Sequence, residues 1–411
     1  MEIISEGENN MRIKNSIPIH GFVAPGFELV KDEFIKNFTD RGELGAAFSV
    51  YINNEPVVDL WGGYRDRKTS AQWEKDTLVQ VFSATKGFAA LALSLAHSKG
   101  YINYDETVCT YWPEFAQNGK EKITVRQLLA HQAGLSTLDE LKIENIEDLD
   151  TSRLSPSLAA RKPDWEVGKF HGYHAWTIGT LISELIKRTD PKKRTLKDFF
   201  NEEIAEPLNA EFYIGLPAEI SKDRMTTIEG INHPIQLLKG LTKLPPKMLL
   251  GFLNAKSLVA RSLVDPKKFV ANDNFNHRPI LSIEFPSGNG VGQVKAMAKI
   301  YGAFASGAKI LGLNSSTTNE LRKSATPPTE GFYDHVNCIN IAYSLGFWKH
   351  FSDMPFGRSE SSFGHPGAGG SFCFADPDEG LGYAYAMNKH GFGMANEPRE
   401  LALRNALYSC L

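Results

Sequence analysis

Cysteine is scarce in this chain: its 411 residues include four, and no two of them form a Cys-x-x-Cys pair. This pattern suggests neither a zinc site built on cysteine nor a disulfide framework. The simplest interpretation is that all four are free thiols in a reducing compartment: Cys109, Cys338, Cys373 and Cys410.

Long apolar runs and an amino-terminal leader are missing as well. The run 88–96 is among the longest and is far too short to cross a bilayer, so no membrane span is expected. The first ten residues lack both a basic region and an apolar region, so no secretory signal is predicted. Together with the cysteine pattern, these absences indicate a cytoplasmic protein.

An excess of charge of one sign is the third absence, since 45 lysines and arginines stand against 48 acidic residues and the net charge is −3. No long basic run interrupts this balance, which argues against nucleic acid or an anionic membrane as the main partner. The apolar share of 42% and the charged share of 23% are ordinary for a globular protein. A chain of this length can form more than one domain.

What the chain does contain is the pattern Ser-x-x-Lys at Ser83 and Lys86. An extended run, 77–82, precedes it, and an apolar helix that Gly100 ends follows it. A serine in the first turn of a helix lies at the positive end of the helix dipole, and a lysine three residues later lies on the same face. This arrangement can turn a serine into a nucleophile without a histidine.

The pattern occurs a second time, at Ser306 and Lys309. This copy follows the helical run 291–305 and therefore lies at a helix carboxyl end, where the dipole opposes an alkoxide, so we reject it as catalytic. For Ser83, the tetrapeptide alone also fits an N-capping serine with a lysine whose stem packs nearby. The surrounding motifs decide between the two interpretations.

Tyr173 is the best candidate for the group that takes and returns the serine proton, because it lies in an aromatic-rich loop before a predicted helix. A phenol has a pKa of about 10, so we expect a neighbouring cation such as Lys86 to lower it. The alternative is a packed tyrosine with a hydrogen-bonded hydroxyl. His171 and His174 share the loop, but no third ligand lies at a useful spacing, so no metal is assigned.

A glycine-rich segment, 363–372, is the third element. Glycine lets the backbone approach a ligand closely, and acyl transfer needs two backbone amides at the developing oxyanion. The amide of Ser83 is one candidate and that of Ala368, just after His365 and Gly367, is the other. A glycine-rich turn that merely enters a strand is the alternative.

In this order, the three elements resemble those of the β-lactamase-like serine hydrolases, which include class C β-lactamases, D-alanyl-D-alanine carboxypeptidases and the family VIII esterases. The similarity covers about residues 20 to 390. It is carried by Phe82–Gly87 and by the segments 111–115, 123–135, 287–290 and 365–370.

The resemblance implies an α+β fold of the β-lactamase/transpeptidase type, an antiparallel sheet flanked by helices with an inserted helical domain. The pattern along the chain agrees, because strands are predicted at both ends and helices between them. We therefore expect one domain built from residues 1–104 and 326–411 and a helical domain over 105–325. The predicted helices are 30–40, 126–131, 175–189, 291–306 and 399–409, and the predicted strands are the hairpin 45–61 and the runs 339–348, 370–375 and 381–388.

By position, the resemblance makes Ser83 the nucleophile, Lys86 its activator and Tyr173 the family tyrosine, and it makes His365–Gly367 the substrate-binding strand motif. It implies an acyl-enzyme and neither a metal nor an organic cofactor. Two residues depart from the lactam and peptide enzymes: Ala175 replaces the asparagine of Tyr-x-Asn, and His365 replaces a lysine, which gives a weaker anchor for a carboxylate.

These departures favour a carboxylesterase acting on small or short-chain esters. The alternatives are a D-amino-acid peptidase or amidase, a weak β-lactamase of the same fold, or a non-catalytic binding or scaffold protein. Retention of Ser83 and Lys86 disfavours the last of these. An α/β-hydrolase is disfavoured because the chain lacks Gly-x-Ser-x-Gly. The expected partner is a small ester or amide, and no oligomeric state is indicated.

Overall fold

Strands from distant parts of the chain pair in one antiparallel sheet. The computed structural model describes residues 17–138, 141, 143–231, 240–242, 244–264, 276–393 and 395–411. The strands are β1 Ile19–Val23, β2 Gly45–Ile52, β3 Glu55–Asp66, β4 Ala71–Gln72, β5 Val79–Gln80, β6 Phe212–Ile214, β7 Gly290–Gly292, β8 Tyr333–Asp334, β9 Ile339–Asn340, β10 Tyr343–Ser344, β11 Phe347–Lys349, β12 Phe363–Pro366, β13 Phe372–Asp376 and β14 Leu381–Met387.

The main sheet has the order β1-β3-β2-β14-β13-β12-β11-β10, with β4 added beside β3. All its neighbours run antiparallel, and β14 joins β2 along seven residue pairs. β5, β7 and β6 form a small second sheet, and β8 pairs with β9. The central position of β14 means that the two ends of the described chain share one core.

Helices cover both faces of the main sheet. The helices are Glu28–Thr39, Thr85–Ser98, Val108–Tyr111, Val125–Leu129, Thr151–Ala160, Ile178–Thr189, Leu196–Phe200, Pro246–Leu253, Leu258–Leu263, Arg278–Ser282, Val294–Ala305, Ser315–Arg322 and Pro398–Cys410, with 3₁₀ turns at Phe82–Ala84, Pro113–Phe115, Ile146–Leu149, Lys222–Arg224 and Lys309–Leu311 and a π turn at Asn201–Ala205. Among the described residues, no helix is both long and apolar enough to span a bilayer.

One face of β14 is built from small residues because a helix lies close above it. Ala384 and Ala386 share a buried cluster with the helix Val294–Ala305. A Cβ atom on Gly382 would lie 2.0 Å from the amide nitrogen of Gly302 in that helix, so only glycine permits this approach. The helix therefore packs directly on the sheet.

The other face of β14 carries large aromatic residues, because successive side chains of a strand point to opposite sides. Tyr383 and Tyr385 share a second buried cluster with residues of the helices Glu28–Thr39 and Pro398–Cys410. The ring of Phe48 on β2 meets Tyr383 edge-on at 5.0 Å between centroids. The sheet is thus enclosed between helical layers.

The predicted helices agree with the observed ones to within a few residues at each end. The prediction of a single strand over 339–348 is wrong. This run contains three short strands, and the turn between the second and third uses positive φ values at Leu345 (51°) and Gly346 (90°). Only Val79–Gln80 of the extended run 77–82 is a strand. The division at 105–325 stays a prediction, and the helix Val294–Ala305 inside that range packs on the main sheet.

A buried ion pair ties the carboxyl-terminal helix to the start of β2. Arg399 Nη1 lies 2.6 Å from Glu43 Oε1, and both side chains are almost fully buried. The guanidinium also contacts Glu397 at 3.0 Å, and the Tyr385 hydroxyl donates to Glu43. A charge in such a place must be paired, so this cluster fixes the helix on the sheet.

Removing the Arg399 side chain should destabilise the protein strongly. In Arg399→Ala, Glu43 stays buried without its cation, and breaking a buried pair this way costs about 3–5 kcal/mol of unfolding free energy. Urea denaturation measures the loss. Arg67→Ala, which removes a partly exposed pair with Glu229 at 2.8 Å, should cost less than about 1 kcal/mol. Equal losses in the two variants would contradict the anchoring role.

Candidate active site

Ser83 lies where a strained backbone turn enters the helix Thr85–Ser98. Phe82 has a φ of +49°, a left-handed value that residues with side chains seldom adopt. The amide of Val81 donates to the Gly290 carbonyl at 3.0 Å, and Thr85 Oγ1 accepts the Gly290 amide at 2.8 Å. These contacts with β7 hold the serine at the amino end of the helix, as the sequence predicts.

Lys86 reaches the serine hydroxyl, as expected from their spacing. Its Nζ lies 3.0 Å from Ser83 Oγ and donates to the Ser287 carbonyl at 2.6 Å. Burial lowers the pKa of the Lys86 amine well below its usual value, and only 1% of the residue is exposed. A neutral amine can donate to Ser287 and still accept the hydroxyl proton of Ser83.

Ser287 is a site residue whose role sequence reasoning missed. Its hydroxyl donates to the Trp176 carbonyl at 2.7 Å and accepts the Gly179 amide at 2.9 Å. A Cβ atom on Gly179 would lie 2.2 Å from the Ser287 amide, so this approach also needs glycine. The segment 287–290 matched the family pattern, but no local signal shows that its first carbonyl orients Lys86.

Tyr173 is the third member of the cluster. Its ring centroid lies 5.0 Å from Lys86 Nζ, and its hydroxyl interacts with the side chain of Ser83. The expectation that a cation lowers its pKa is wrong here: burial raises the pKa of Tyr173, and the interaction with Ser83 only partly opposes this. In the resting site, the phenol is therefore neutral.

Burial lowers the pKa of both His171 and His174, and their rings bond to backbone groups. His174 Nε2 accepts the Leu135 amide at 3.0 Å, so its Nδ1–H donates to the Gly172 carbonyl at 2.7 Å. His171 Nε2 lies 2.9 Å from the Phe332 carbonyl. Among the described residues, no three His, Cys, Asp or Glu side chains are arranged to hold a metal ion.

His131 is a second residue that sequence reasoning did not assign. Its Nδ1 accepts the His174 amide at 3.1 Å, which leaves the proton on Nε2. Its ring meets the Tyr173 ring edge-on at 5.3 Å between centroids. Burial, followed by repulsion from nearby basic groups, lowers the His131 pKa well below its usual range. His131 therefore packs against Tyr173 as an uncharged ring.

His365 was predicted to anchor a substrate, and the structure places it differently. It is 1% exposed, lies outside the described lining of the cavity at Ser83, and its ring is 5.8 Å from that of Tyr173. Its Nδ1–H donates to the Pro366 carbonyl at 2.7 Å. Burial, reinforced by Lys86, lowers its pKa well below the usual range. It offers no cation to a carboxylate.

Gly367 and Ala368 lie where the sequence predicts, beside the serine. A Cβ atom on Gly367 would lie 2.2 Å from both the Val81 carbonyl and Ser371 Oγ, so glycine brings this turn against the backbone before Ser83. Ser371 Oγ donates to the same carbonyl at 3.1 Å. Among the described residues, the amides of Ser83 and Ala368 have no hydrogen-bond acceptor.

A cavity of about 300 Å³ opens over Ser83. Its walls are mainly aliphatic and aromatic, and burial lowers the pKa of its one lining histidine, His390, to about 4. No lysine, arginine or acidic residue belongs to the described lining. The lining residues are Gln80, Phe82, Ser83, Ile146, Leu149, Tyr173, Ala175, Trp176, Leu263, Ile280, Ile283, Phe285, Ser287, Gly288, Asn289, Ala368 and His390.

Comparison with known proteins agrees with this geometry, since a family model described as Beta-lactamase matches residues 32–407. The chain belongs to the beta-lactamase family. It is 33% identical over 375 residues to the esterase/beta-lactamase LipL of Mycobacterium tuberculosis (strain ATCC 25618 / H37Rv), an alignment that covers 90% of this chain and 83% of LipL.

Two solved structures are similar over nearly the whole chain. A family VIII carboxylesterase has a TM-score of 0.82 at 33% identity and covers 96% of this chain and 100% of its own. A penicillin-binding protein homolog from Caulobacter crescentus has a TM-score of 0.83 at 33% identity with the same coverage. The predicted β-lactamase/transpeptidase-like fold is confirmed, and this member of the beta-lactamase family is a serine hydrolase.

The buried amine of Lys86 predicts the pH dependence of hydrolysis. The neutral amine accepts the serine proton, and its folded-state pKa is lowered, so kcat/KM should rise with pH and level off far below the ordinary lysine pKa of 10.5. Initial rates on a p-nitrophenyl ester, corrected for buffer hydrolysis, measure the profile. A rate that keeps rising until the pH approaches 10.5 would contradict a neutral Lys86.

Proposed function

We propose that the protein is a carboxylesterase that cleaves small, short-chain esters through an acyl-enzyme on Ser83. The observation that carries the proposal is the uncharged, largely apolar cavity directly over a Ser83–Lys86 pair 3.0 Å apart. A lactam or peptide substrate with a carboxylate would lack a cationic partner among the described lining residues. A neutral ester needs none.

Acylation begins with the lysine as base. The lone pair of the Lys86 amine takes the proton of Ser83, while an N–H of the same amine stays on the Ser287 carbonyl. Ser83 Oγ then forms a bond to the acyl carbon. The transient ammonium lies under the Tyr173 ring, 5.0 Å from its centroid, where the face of the ring favours a cation.

The carbonyl oxygen of the substrate becomes an oxyanion as that bond forms. The free amides of Ser83 and Ala368 are the donors that would hold it. Preorganised donors of this kind contribute about 3–4 kcal/mol each to transition-state stabilisation. Because Gly367 packs against Val81, the two amides belong to segments that are fixed relative to each other.

Tyr173 completes the step as the acid. Its neutral hydroxyl, next to Ser83, gives a proton to the leaving alcohol oxygen as the bond between that oxygen and the acyl carbon breaks. The Lys86 ammonium returns a proton to the tyrosine. Water then repeats the sequence on the acyl-enzyme: it loses a proton to Lys86, attacks the acyl carbon and releases the acid and Ser83.

The proposal includes a cytoplasmic location. The four cysteines are free thiols in the structure, which supports a reducing compartment.

Activity should depend on the first Ser-x-x-Lys motif and not on the second. Ser83→Ala and Lys86→Met should each lower kcat/KM for p-nitrophenyl butyrate at least about 10²–10⁴-fold, because they remove the nucleophile or its base. The matched controls Ser306→Ala and Lys309→Met should retain wild-type rates, since that copy lies after the helix Val294–Ala305.

The same assay separates the alternatives. Hydrolysis of a cephalosporin or a D-amino-acid amide, with no hydrolysis of any ester, would replace the esterase with a lactamase or amidase. If a fluorescent fluorophosphonate failed to label Ser83 and no ester were cleaved, the binding-protein alternative would take its place. Loss of ester hydrolysis in both Ser306→Ala and Lys309→Met would contradict the site assignment.

Acyl-chain length should be set by the aromatic wall of the cavity. The rings of Trp176 and Phe285 lie 5.8 Å apart between centroids, and Trp176 is only partly buried. Trp176→Ala opens the wall and should raise the kcat/KM ratio of octanoate to butyrate esters about tenfold. Trp61→Ala, a partly buried tryptophan outside the cavity lining, is the control. An unchanged ratio in Trp176→Ala would show that another surface limits the acyl chain.

A further inference from the structure

A helical hairpin beside the cavity exposes large apolar side chains. The helices Pro246–Leu253 and Leu258–Leu263 pack closely, since a Cβ atom on Gly251 would lie 2.6 Å from the Cβ of Val259. Leu250 is 67% exposed and Leu253 is 85% exposed. These two leucines are three residues apart and therefore lie on one face of the first helix. Together with the exposed Phe252, they form what we term the apolar patch.

The chain segment that forms this hairpin contains basic residues and no acidic one. Residues 244–264 contain Lys247, Lys256 and Arg261 and neither aspartate nor glutamate. Both lysines are exposed, and Lys247 Nζ lies 4.8 Å from the centroid of the Tyr333 ring. Arg261 pairs with Asp164 at 2.7 Å. The net charge of −3 for the whole chain argued against an anionic partner, but it does not describe this segment, which has an excess of positive charge. Exposed leucines flanked by lysines are complementary to an anionic lipid surface.

The hairpin is also joined to the cavity. Leu263, at the end of its second helix, lines the cavity over Ser83. Ser262 Oγ lies 2.8 Å from Ser136 Oγ, and the Arg261–Asp164 pair fixes the same helix to the body of the protein. The second helix of the hairpin therefore connects the first helix, which carries the apolar patch, to the wall of the substrate cavity.

We propose that the apolar patch, together with Lys247 and Lys256, docks the protein on an anionic lipid surface. Leucine side chains enter the boundary between headgroups and acyl chains, and the lysines approach the headgroup charges. Docking itself is independent of catalysis. Its consequence, that esters dissolved in the lipid reach the cavity past Leu263, rests on the proposed esterase function.

Co-sedimentation with vesicles tests the proposal. Vesicles of phosphatidylcholine with about 30% phosphatidylglycerol should bind the wild type at least about tenfold more tightly than pure phosphatidylcholine, and added salt should weaken the binding. Leu250→Ser/Leu253→Ser should lose about tenfold or more of the affinity. Lys247→Gln/Lys256→Gln should lose about fivefold per lysine.

The matched control lies elsewhere on the surface. Lys309→Gln/Ile310→Ser changes an exposed lysine and an isoleucine that is 71% exposed, and it should bind vesicles like the wild type. None of the six altered residues lines the cavity, so hydrolysis of p-nitrophenyl acetate should be unchanged in all three variants. This readout separates a failure of docking from a failure of the esterase proposal.

Three results would overturn the proposal. One is equal binding to the two vesicle types, and another is equal binding by the wild type and the leucine variant. The third is concentration-dependent dimerisation of the wild type, measured by sedimentation velocity without lipid and abolished in Leu250→Ser/Leu253→Ser. That last outcome would assign the apolar patch to a second copy of the chain.

Discussion

The site depends on one electrostatic constraint, the high free-energy cost of keeping a charged amine out of water. Lys86 is buried beside Ser83, and its position is fixed by a carbonyl rather than by an acidic side chain. A carboxylate partner would have held the amine as an ammonium. Because Ser287 provides only a neutral carbonyl oxygen, burial lowers the pKa of the Lys86 amine. The neutral amine then has a lone pair available for the serine proton.

Close backbone approaches bring this arrangement together from distant parts of the chain. The backbone at Gly179 lies against Ser287, and the backbone at Gly367 lies against Val81. The backbone at Gly382 lies against the helix that follows β7. In each case a Cβ atom would lie about 2 Å from another atom. Packing of this density transmits small displacements, so the position of the Lys86 amine depends on elements far from it.

The sequence predicted those features that depend on local spacing. Ser83 and Lys86 are three residues apart on one helix, so their contact follows from helix geometry. The partner of Lys86 at Ser287 is 201 residues away and acts through a backbone atom, which leaves no trace in residue type. The state of Tyr173 and the position of His365 were missed because both depend on burial, which only the assembled fold determines.

Strand β14 completes the main sheet between β2 and β13, and roughly 330 residues separate it in sequence from β2. At synthesis rates of about 5–20 residues per second, the edge of β2 waits of the order of tens of seconds for its neighbour. During that interval its unpaired backbone groups and the apolar residues Phe48 and Val50 are open to other strands. Interleaving the two chain ends therefore leaves this edge of β2 open to mispairing until most of the chain has been made.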